Sequence, residues 1–227
     1  MRWTLLALFL LAACGRPLTE AEQVFMAELA GPAFDPAPVR ITQNPLIGLT
    51  TRSYPARPRS TCRERIFPPP QGDTATGRTA GIVFFNRLHL REDYALPDYI
   101  AREDGAVNLL AQMFFVHEMT HIWQWQNRAR TGYHPARAFA EHARLEDPYL
   151  FEAEAELPFL DYGYEQQASL VEEYVCCRTL DPEGARTQRL ERLISQAMDL
   201  SPISQQPRAQ SDILLPWSGV ELAGICS

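Results

Sequence analysis

The sequence predicts an α+β fold built as one domain, and three segments carry that prediction. Residues 106–128 repeat apolar side chains at three- and four-residue steps around most of a helix. Residues 164–175 repeat them at helical spacing in a second helix. Residues 79–90 alternate apolar and polar side chains, which is typical of a strand. A chain of 227 residues is long enough to bury one proper core around these elements.

The remaining elements are predicted from the same kinds of pattern. A short helix is expected over residues 18–29, and loop-rich, extended chain over residues 32–77, where most of the prolines lie. A hairpin is predicted across residues 149–160, with alternating glutamates on one exposed face. A closing amphipathic helix is expected over residues 186–200. The tail after it is expected to be irregular except near residues 213–215.

The amino terminus resembles a bacterial lipoprotein signal. Arg2 precedes an apolar stretch, residues 3–13, that is too short to span a bilayer as a mature helix. Residues 11–15 read LAACG and resemble a lipobox, in which cleavage precedes a cysteine that is then acylated. Several acyl chains on Cys14 would anchor the protein stably. We expect a lipid-anchored protein of the bacterial cell envelope, in the outer membrane and facing the periplasm; the alternative is an ordinary signal peptide with an incidental cysteine.

Composition argues against one class of partner and favours disulfides. The chain has 28 acidic and 21 basic residues, a net charge of −7, and no basic patch, so no nucleic-acid partner is expected. Beyond the signal the chain has four cysteines, Cys62, Cys176, Cys177 and Cys226. An even number in an oxidising compartment favours disulfides. Because adjacent cysteines rarely bridge each other, Cys176 and Cys177 are each expected to pair with Cys62 or Cys226. The alternative is buried free thiols.

The strongest chemical signal is an HExxH motif formed by His117, Glu118 and His121. Residues four apart on a helix lie about 40° apart around its axis, so both imidazoles can reach one zinc ion. Glu118 borders the same position and can act as general base toward a zinc-activated water. Metal coordination also explains why an apolar helix would bury these side chains. The motif predicts a Zn²⁺ site; the alternative is two ordinary histidines and a surface glutamate.

A catalytic zinc needs a third protein ligand and an open position for water. The metzincin arrangement is excluded, because Gln124 and Asn127 occupy the positions of its glycine and its third histidine. A glutamate from a second, downstream helix remains possible. Glu165, at the start of the helix predicted over residues 164–175, is the candidate.

Other polar residues near these motifs have weaker claims. Glu172 and Glu173 could each hold a ligand imidazole by its second ring nitrogen, or could form a solvated pair on the outer face of their helix. His134 and His142, which follow the motif helix, are expected at the surface, although either could steady an oxyanion. His89 is expected to be a strand residue with no catalytic part.

The two motifs together resemble a known group of proteins. HEMTHIWQ at residues 117–124, followed by YGYEQQASLVEEY at residues 162–174, is similar to the HEMTHxWQ…EQQAxxVxDY pattern of a bacterial zincin-like group related to Rhs and Vgr proteins. The resemblance covers roughly residues 80–180. It implies a gluzincin-type zincin-like domain, with an HExxH helix, a downstream helix that carries a glutamate, and a small sheet.

The resemblance also implies roles for individual residues. Zinc would bind His117, His121 and Glu165, and Glu118 would be the catalytic base. Glu173 stands where the group tends to carry aspartate, which leaves its role in supporting the ligands open.

The predicted function is that of a membrane-anchored, zinc-dependent metallohydrolase, a peptidase that acts on a peptide or protein substrate. The lipid bilayer would be a partner through acylated Cys14. The alternative is a non-catalytic envelope protein for binding or assembly, which the sequence disfavours because a structural zinc site would not need Glu118. The predicted segments are a lipoprotein signal peptide at 1–13, a lipid-anchored loop-rich segment at 14–78, a zincin-like metallopeptidase core at 79–200, and a tail packing on that core at 201–227.

Overall fold

The structure is a computed structural model that describes residues 15–152, 157–200 and 212–227, in which the chain forms seven α-helices and seven short strands. The helices are α1 (Glu20–Ala30), α2 (Cys62–Arg65), α3 (Leu109–Gln126), α4 (Arg128–Thr131), α5 (Pro135–Arg144), α6 (Tyr164–Leu180) and α7 (Ala185–Ile194). The strands are β1 (Arg40–Gln43), β2 (Thr51–Pro55), β3 (Thr74–Arg78), β4 (Gly81–Phe84), β5 (Arg87–Leu90), β6 (Val107–Asn108) and β7 (Ile213–Leu214).

The predicted lipoprotein signal, including Cys14, lies outside the described residues. Among the helices of the described ranges, none is both long enough and apolar enough to cross a bilayer.

A small three-stranded sheet has β5 at its centre, parallel to β1 and antiparallel to β4. The single strand predicted over residues 79–90 is wrong, because β4 and β5 form a hairpin that turns at Phe85 and Asn86. Phe85 adopts a φ of 58°, a conformation that glycine or asparagine adopts more readily. The turn therefore has no glycine to mark it, and the apolar alternation continues on both sides of it.

The predicted boundary at residue 79 does not separate two structural units. β1 comes from the segment predicted to be loop-rich, yet it pairs along its length with β5 of the predicted core. Leu29 of α1, Ile41 of β1 and Leu88 of β5 are buried in one hydrophobic core. The segment also forms the antiparallel pair β2–β3. These strands have four or five residues each, too few to show a clear periodicity in the sequence.

Helices α3 and α6 form the centre of the domain and pack against each other. Trp123 of α3 and Tyr174 of α6 are fully buried between them and their neighbours. The predicted helices over residues 18–29, 106–128 and 164–175 correspond to α1, α3 and α6. The last predicted helix ends early, at Ile194, because the apolar Ala197 and Met198 reach the core from turns.

The hairpin predicted across residues 149–160 is absent from the parts of it that the structure describes. Residues 149–152 are irregular, and Phe159–Asp161 form a 3₁₀ turn. The glutamates at 154 and 156 lie outside the described residues.

Two disulfides fix α6 to other parts of the chain. Cys62 of α2 is bonded to Cys176, and Cys177 is bonded to Cys226 near the carboxyl terminus. The adjacent cysteines pair with separate partners, as the sequence predicts, and the alternative of buried free thiols is wrong. The carboxyl-terminal residues also contribute β7, which pairs parallel to β6 just before α3.

Candidate metal centre

His117 and His121 of α3 meet Glu165 of α6 between the two central helices. Glu165 Oε2 lies 3.3 Å from His117 Nε2 and 3.2 Å from His121 Nε2. All three side chains are buried, and their ligand-type atoms lie within 4.8 Å of one another. The structure thus brings together the three residues that the sequence analysis offered as zinc ligands.

The amino terminus of α6 is built to present Glu165. Gly163 N donates to the side-chain oxygen of Gln166, and the Glu141 carboxylate of α5 accepts hydrogen bonds from Tyr164 N and Glu165 N. These contacts satisfy backbone donors that the first turn of a helix leaves open. The positive end of the helix dipole also favours a carboxylate in the first turn.

A buried oxygen holds the second nitrogen of each imidazole. His117 Nδ1 lies 3.2 Å from Glu172 Oε2, and His121 Nδ1 lies 2.9 Å from Gln124 Oε1. Because an ionised carboxylate and an amide oxygen only accept hydrogen bonds, each Nδ1 donates its proton, and each Nε2 is left either to donate a proton to Glu165 or, without that proton, to bind a metal. This is the arrangement that orients imidazoles as metal ligands. The sequence analysis used Gln124 only to exclude the metzincin arrangement and missed this role.

Glu118 lies beside the imidazoles and is buried without a hydrogen bond to either ring among the described contacts. Burial raises the pKa of its carboxyl, and the charges of His117 and His121 oppose that rise. Strand β4 approaches closely at Gly81, where an added Cβ would lie 3.0 Å from Glu118 Oε1. A glycine at this point leaves the Glu118 carboxylate its space.

The charges at this site fit a divalent cation. Burial lowers the pKa of His117, but hydrogen bonds and charges from Glu165 and Glu172 outweigh it and raise that pKa to about 10. Burial raises the pKa of Glu165, but the charge of His121 and hydrogen bonds from the imidazoles hold it well below its usual range. The carboxylates of Glu118, Glu165 and Glu172 surround the two imidazoles and favour a positive charge between them. Two imidazole nitrogens and one carboxylate oxygen are donors that zinc accepts in catalytic sites.

Three aromatic residues surround the centre. The sequence analysis expected His142 at the surface, with a possible role in steadying an oxyanion, and did not consider Tyr133 or Tyr149. His142 is instead half-buried, and its Nε2 lies 2.8 Å from Glu165 Oε1. The Tyr149 ring lies between His142 and His117, with centroids 5.5 Å and 5.7 Å away. The Tyr133 ring lies 6.1 Å from that of His121. These residues come from α5 and irregular chain, where no periodicity or spacing points to the site.

The other histidines lie where the sequence predicts. His134 is exposed, and its Nδ1 accepts a hydrogen bond from Ala136 N at the start of α5. His89 lies in β5, where burial and the charge of Arg87 lower its pKa.

Glu173 does not have the predicted role of holding a ligand imidazole. Its carboxylate accepts hydrogen bonds from Cys62 N and Arg63 N at 2.8 Å and 3.2 Å, and one from the Arg186 guanidinium at 3.3 Å. Glu172 and Glu173 are both buried, so the alternative of a solvated pair is also wrong. The two residues are adjacent on α6 and therefore point about 100° apart, so only Glu172 faces α3.

No family model matches the chain. A search of curated proteins finds similarity to the type VI secretion system spike protein VgrG2b of Pseudomonas aeruginosa, at 28% identity over 123 residues. The matched part is 44% of this chain and only 12% of that protein.

Among solved structures, the effector domain of P. aeruginosa VgrG2b is similar, with a TM-score of 0.50 and 23% identity over 80% of this chain and 85% of that domain. The chain therefore shares the fold of that domain. Together the two comparisons support homology to it.

Proposed function

We propose that this protein is a zinc-dependent metallohydrolase, and specifically a peptidase with Glu118 as its general base. One observation carries the proposal. Both Nε2 atoms of the HExxH motif face a single oxygen of Glu165, while Glu118 lies beside them without contacting that oxygen among the described contacts. A zinc hydrolase is expected to separate its metal ligands from its general base in this way.

His117, His121 and Glu165 would hold the zinc. When bound, zinc supplies a Lewis acid that lowers the pKa of water and polarises a carbonyl oxygen. Glu118 would remove a proton from the attacking water and return it to the leaving amine. Its raised pKa suits both steps, because a base whose pKa lies closer to neutrality also works as an acid. Glu172 would keep the His117 ring in the orientation that ligation needs.

The sheet beside the site supports a peptide as the substrate. β4 is the last strand of its sheet in the described part of the chain. Arg91 N donates to Ala80 O, so in this antiparallel ladder the backbone groups of Gly81 and Val83 point away from β5. An extended peptide could pair with this edge and pass Glu118 where Gly81 approaches it.

The relatives and the amino terminus suggest a biological setting. VgrG2b is a type VI secretion system spike protein with an effector domain, and the similarity to it suggests that this chain is related to type VI secretion effectors. The chain spans about an eighth of VgrG2b, so the activity of that whole protein is not carried over. We propose that this protein works in the bacterial envelope, held to the bilayer by acylated Cys14 and facing the periplasm. The two disulfides are compatible with that compartment.

The test is Glu118→Gln, measured on an unbiased peptide library. Glutamine is close to isosteric with glutamate and keeps a hydrogen-bonding group, but it cannot take up the proton of water. We expect turnover to fall at least ~10²-fold, the usual scale of general-base catalysis, while zinc content and melting temperature stay nearly unchanged. Zinc content is measured by elemental analysis of the purified full chain.

His121→Ala is the companion variant, because a lost ligand should remove zinc and some stability together. The competing proposal is a non-catalytic envelope protein that keeps this fold for binding or assembly. This competing proposal would be favoured if Glu118→Gln kept the cellular phenotype of wild type while His121→Ala abolished that phenotype. The zinc would then be structural, and the peptidase proposal would be abandoned.

A further inference from the structure

A series of direct contacts leads from the candidate metal centre to the Cys62–Cys176 disulfide. His117 Nδ1 lies 3.2 Å from Glu172 Oε2, and Arg63 Nη1 donates to the same oxygen at 2.9 Å. Arg63 directly follows Cys62 in α2, and Cys62 is covalently bonded to Cys176 of α6. The guanidinium that contacts Glu172 is therefore one residue away from a covalent link to the helix that carries Glu172.

Helix α2 depends on α6 for its position. It has four residues, far fewer than an isolated helix needs to be stable. Besides the disulfide, α6 supplies Glu173, whose carboxylate accepts hydrogen bonds from Cys62 N and Arg63 N. These two backbone donors lie in the first turn of α2, which has no helical partners for them. The disulfide and this cap act on the same two residues of α2.

Glu172 in turn depends on Arg63. Its carboxylate is buried, and a buried charge is costly unless an opposite charge and hydrogen bonds compensate it. The Arg63 guanidinium supplies both at 2.9 Å. With Arg63 in place, Glu172 stays an acceptor for the Nδ1 proton of His117, which leaves Nε2 free to bind a metal. Without Arg63, the carboxylate would lose the guanidinium that contacts it directly, and Arg57 would act on it only through its charge.

We propose that Arg63 is a positioning residue for His117, acting through Glu172, and that the Cys62–Cys176 disulfide holds Arg63 in place. This inference rests on the proposed function, since it requires zinc on His117. The affinity of the site for zinc then depends on the Cys62–Cys176 disulfide, although this disulfide does not contact the metal ligands. Tight zinc binding would be acquired only after the disulfide forms, in an oxidising compartment.

The first experiment compares two arginines of the same short helix. Arg65 is the matched control, because its guanidinium donates to the carbonyls of Gly224 and Ile225 and not to Glu172. Zinc affinity of the full chain is measured by competition with a fluorescent chelator, using zinc ion alone as the probe. We expect Arg63→Met to weaken zinc binding about tenfold, the lower end of the range for outer partners of metal ligands.

Two further variants separate positioning from general stability. Arg63→Lys keeps the charge and should restore zinc affinity to within about threefold of wild type, because lysine can still reach a carboxylate. Arg65→Met should lower the melting temperature by loosening the carboxyl terminus, yet leave zinc affinity within the same margin. Thermal unfolding followed by circular dichroism gives the melting temperatures.

The second experiment tests the disulfide by substitution, because reductants can themselves bind zinc. Cys62→Ser with Cys176→Ser should weaken zinc binding about tenfold, as Arg63→Met does. Cys177→Ser with Cys226→Ser removes the neighbouring bridge of the same helix and should change zinc affinity less than about threefold. Adding Arg63→Met to the Cys62→Ser, Cys176→Ser variant should cause no further loss of zinc affinity, because both changes interrupt the same series of contacts.

The outcomes separate the inference from the proposed function. Wild-type protein that binds no zinc would overturn both. Wild-type protein that binds zinc, with Arg63→Met binding it equally well, would overturn this inference alone. Equal losses of zinc affinity in Arg63→Met and Arg65→Met would also overturn it, because the effect would then be general loosening of α2. Should the Cys62 and Cys176 pair fail to fold, the two arginine variants still decide the role of Arg63.

Discussion

Helix α6 buries two glutamates in opposite surroundings, Glu165 in its first turn and Glu173 near its middle. Glu165, in the first turn, faces three imidazoles across the interface with α3 and α5. Glu173, a little over two turns later, faces two backbone N–H groups of α2 and the guanidinium of Arg186. Glu165 belongs to a cluster of titratable groups around a common position. Glu173 belongs to a junction that joins α2 to α6 by hydrogen bonds and a disulfide. Burial of an acid therefore does not by itself mark a functional site.

The pKa values of the two carboxyls express this difference. The imidazoles around Glu165 outweigh its burial and hold its pKa well below the usual range. At Glu173 burial dominates over the hydrogen bonds of α2 and the charge of Arg186, and it raises the pKa to about 7. A carboxylate kept ionised among imidazoles is suited to bind a cation, whereas a carboxyl whose pKa is raised to about 7 serves here as a hydrogen-bond acceptor that joins α2 to α6.

The largest expected difference between substitutions of the two glutamates is in zinc affinity. Glu165→Gln replaces a charged ligand with a neutral amide and should weaken zinc binding by more than about 100-fold, beyond the range for outer partners. Glu173→Gln should leave zinc affinity within about threefold of wild type, because its carboxyl contacts α2 and Arg186 instead of the centre. Isothermal titration of zinc into the metal-free chains measures both.

An equal loss of affinity in the two variants would contradict the comparison. It would mean that the loss of the Glu173 carboxylate at the junction of α2 and α6 costs as much zinc affinity as the loss of a ligand, far more than the roughly tenfold effect expected of Arg63→Met.

Glu172 adjoins Glu173 in the sequence but contacts His117, and its substitution should have an intermediate effect. Its carboxylate holds His117 Nδ1 without reaching the position that the ligands share. Glu172→Gln keeps an oxygen that can accept this hydrogen bond but removes the charge, so zinc affinity should fall about 10- to 100-fold. The same titration measures it. A loss as large as that of Glu165→Gln would instead mark Glu172 as a ligand in its own right.

The part of the site that the sequence predicts is the part that helical spacing encodes. Four-residue spacing on one helix brings His117 and His121 together, and the apolar pattern around Glu165 placed it on a second buried helix. If both motifs serve one centre, α3 must pack against α6. His142 and Tyr149 could not be found in this way, because the path of the chain between the helices determines where they lie.

The same limit explains the errors at Glu173 and in the sheet. Glu172 and Glu173 differ by one position, and only the rotation of α6 against its neighbours decides which of them faces α3. Strand β1 is short and pairs with β5 across about 45 residues of chain, so its partner is fixed by tertiary packing and not by local pattern. The position of α2 likewise depends on a disulfide whose partner no spacing specifies.

The last expected difference is the dependence of stability on pH that Glu173 contributes. Between its ordinary pKa of 4.5 and its raised pKa of about 7, Glu173 keeps a proton in the folded chain that the unfolded chain releases. The folded state then binds more protons, so the free energy of unfolding falls as the pH rises through this window. The contribution of Glu173 to stability is fully present below pH 4.5 and is lost above about pH 7.

Glu173→Gln isolates this contribution, because glutamine resembles the protonated carboxyl and does not titrate. The free energy of unfolding of wild type, relative to that of the variant, should fall by about 3 kcal/mol between pH 4.5 and pH 7.5, the equivalent of the pKa difference. Urea denaturation of both chains in EDTA measures this difference without metal. The charged side chains that act on Glu173 are Arg186 and Glu64, and both remain in the variant. A wild type that gains stability with rising pH would show that attraction to Arg186 outweighs burial, and Glu165 and Glu173 would then both be ionised carboxylates.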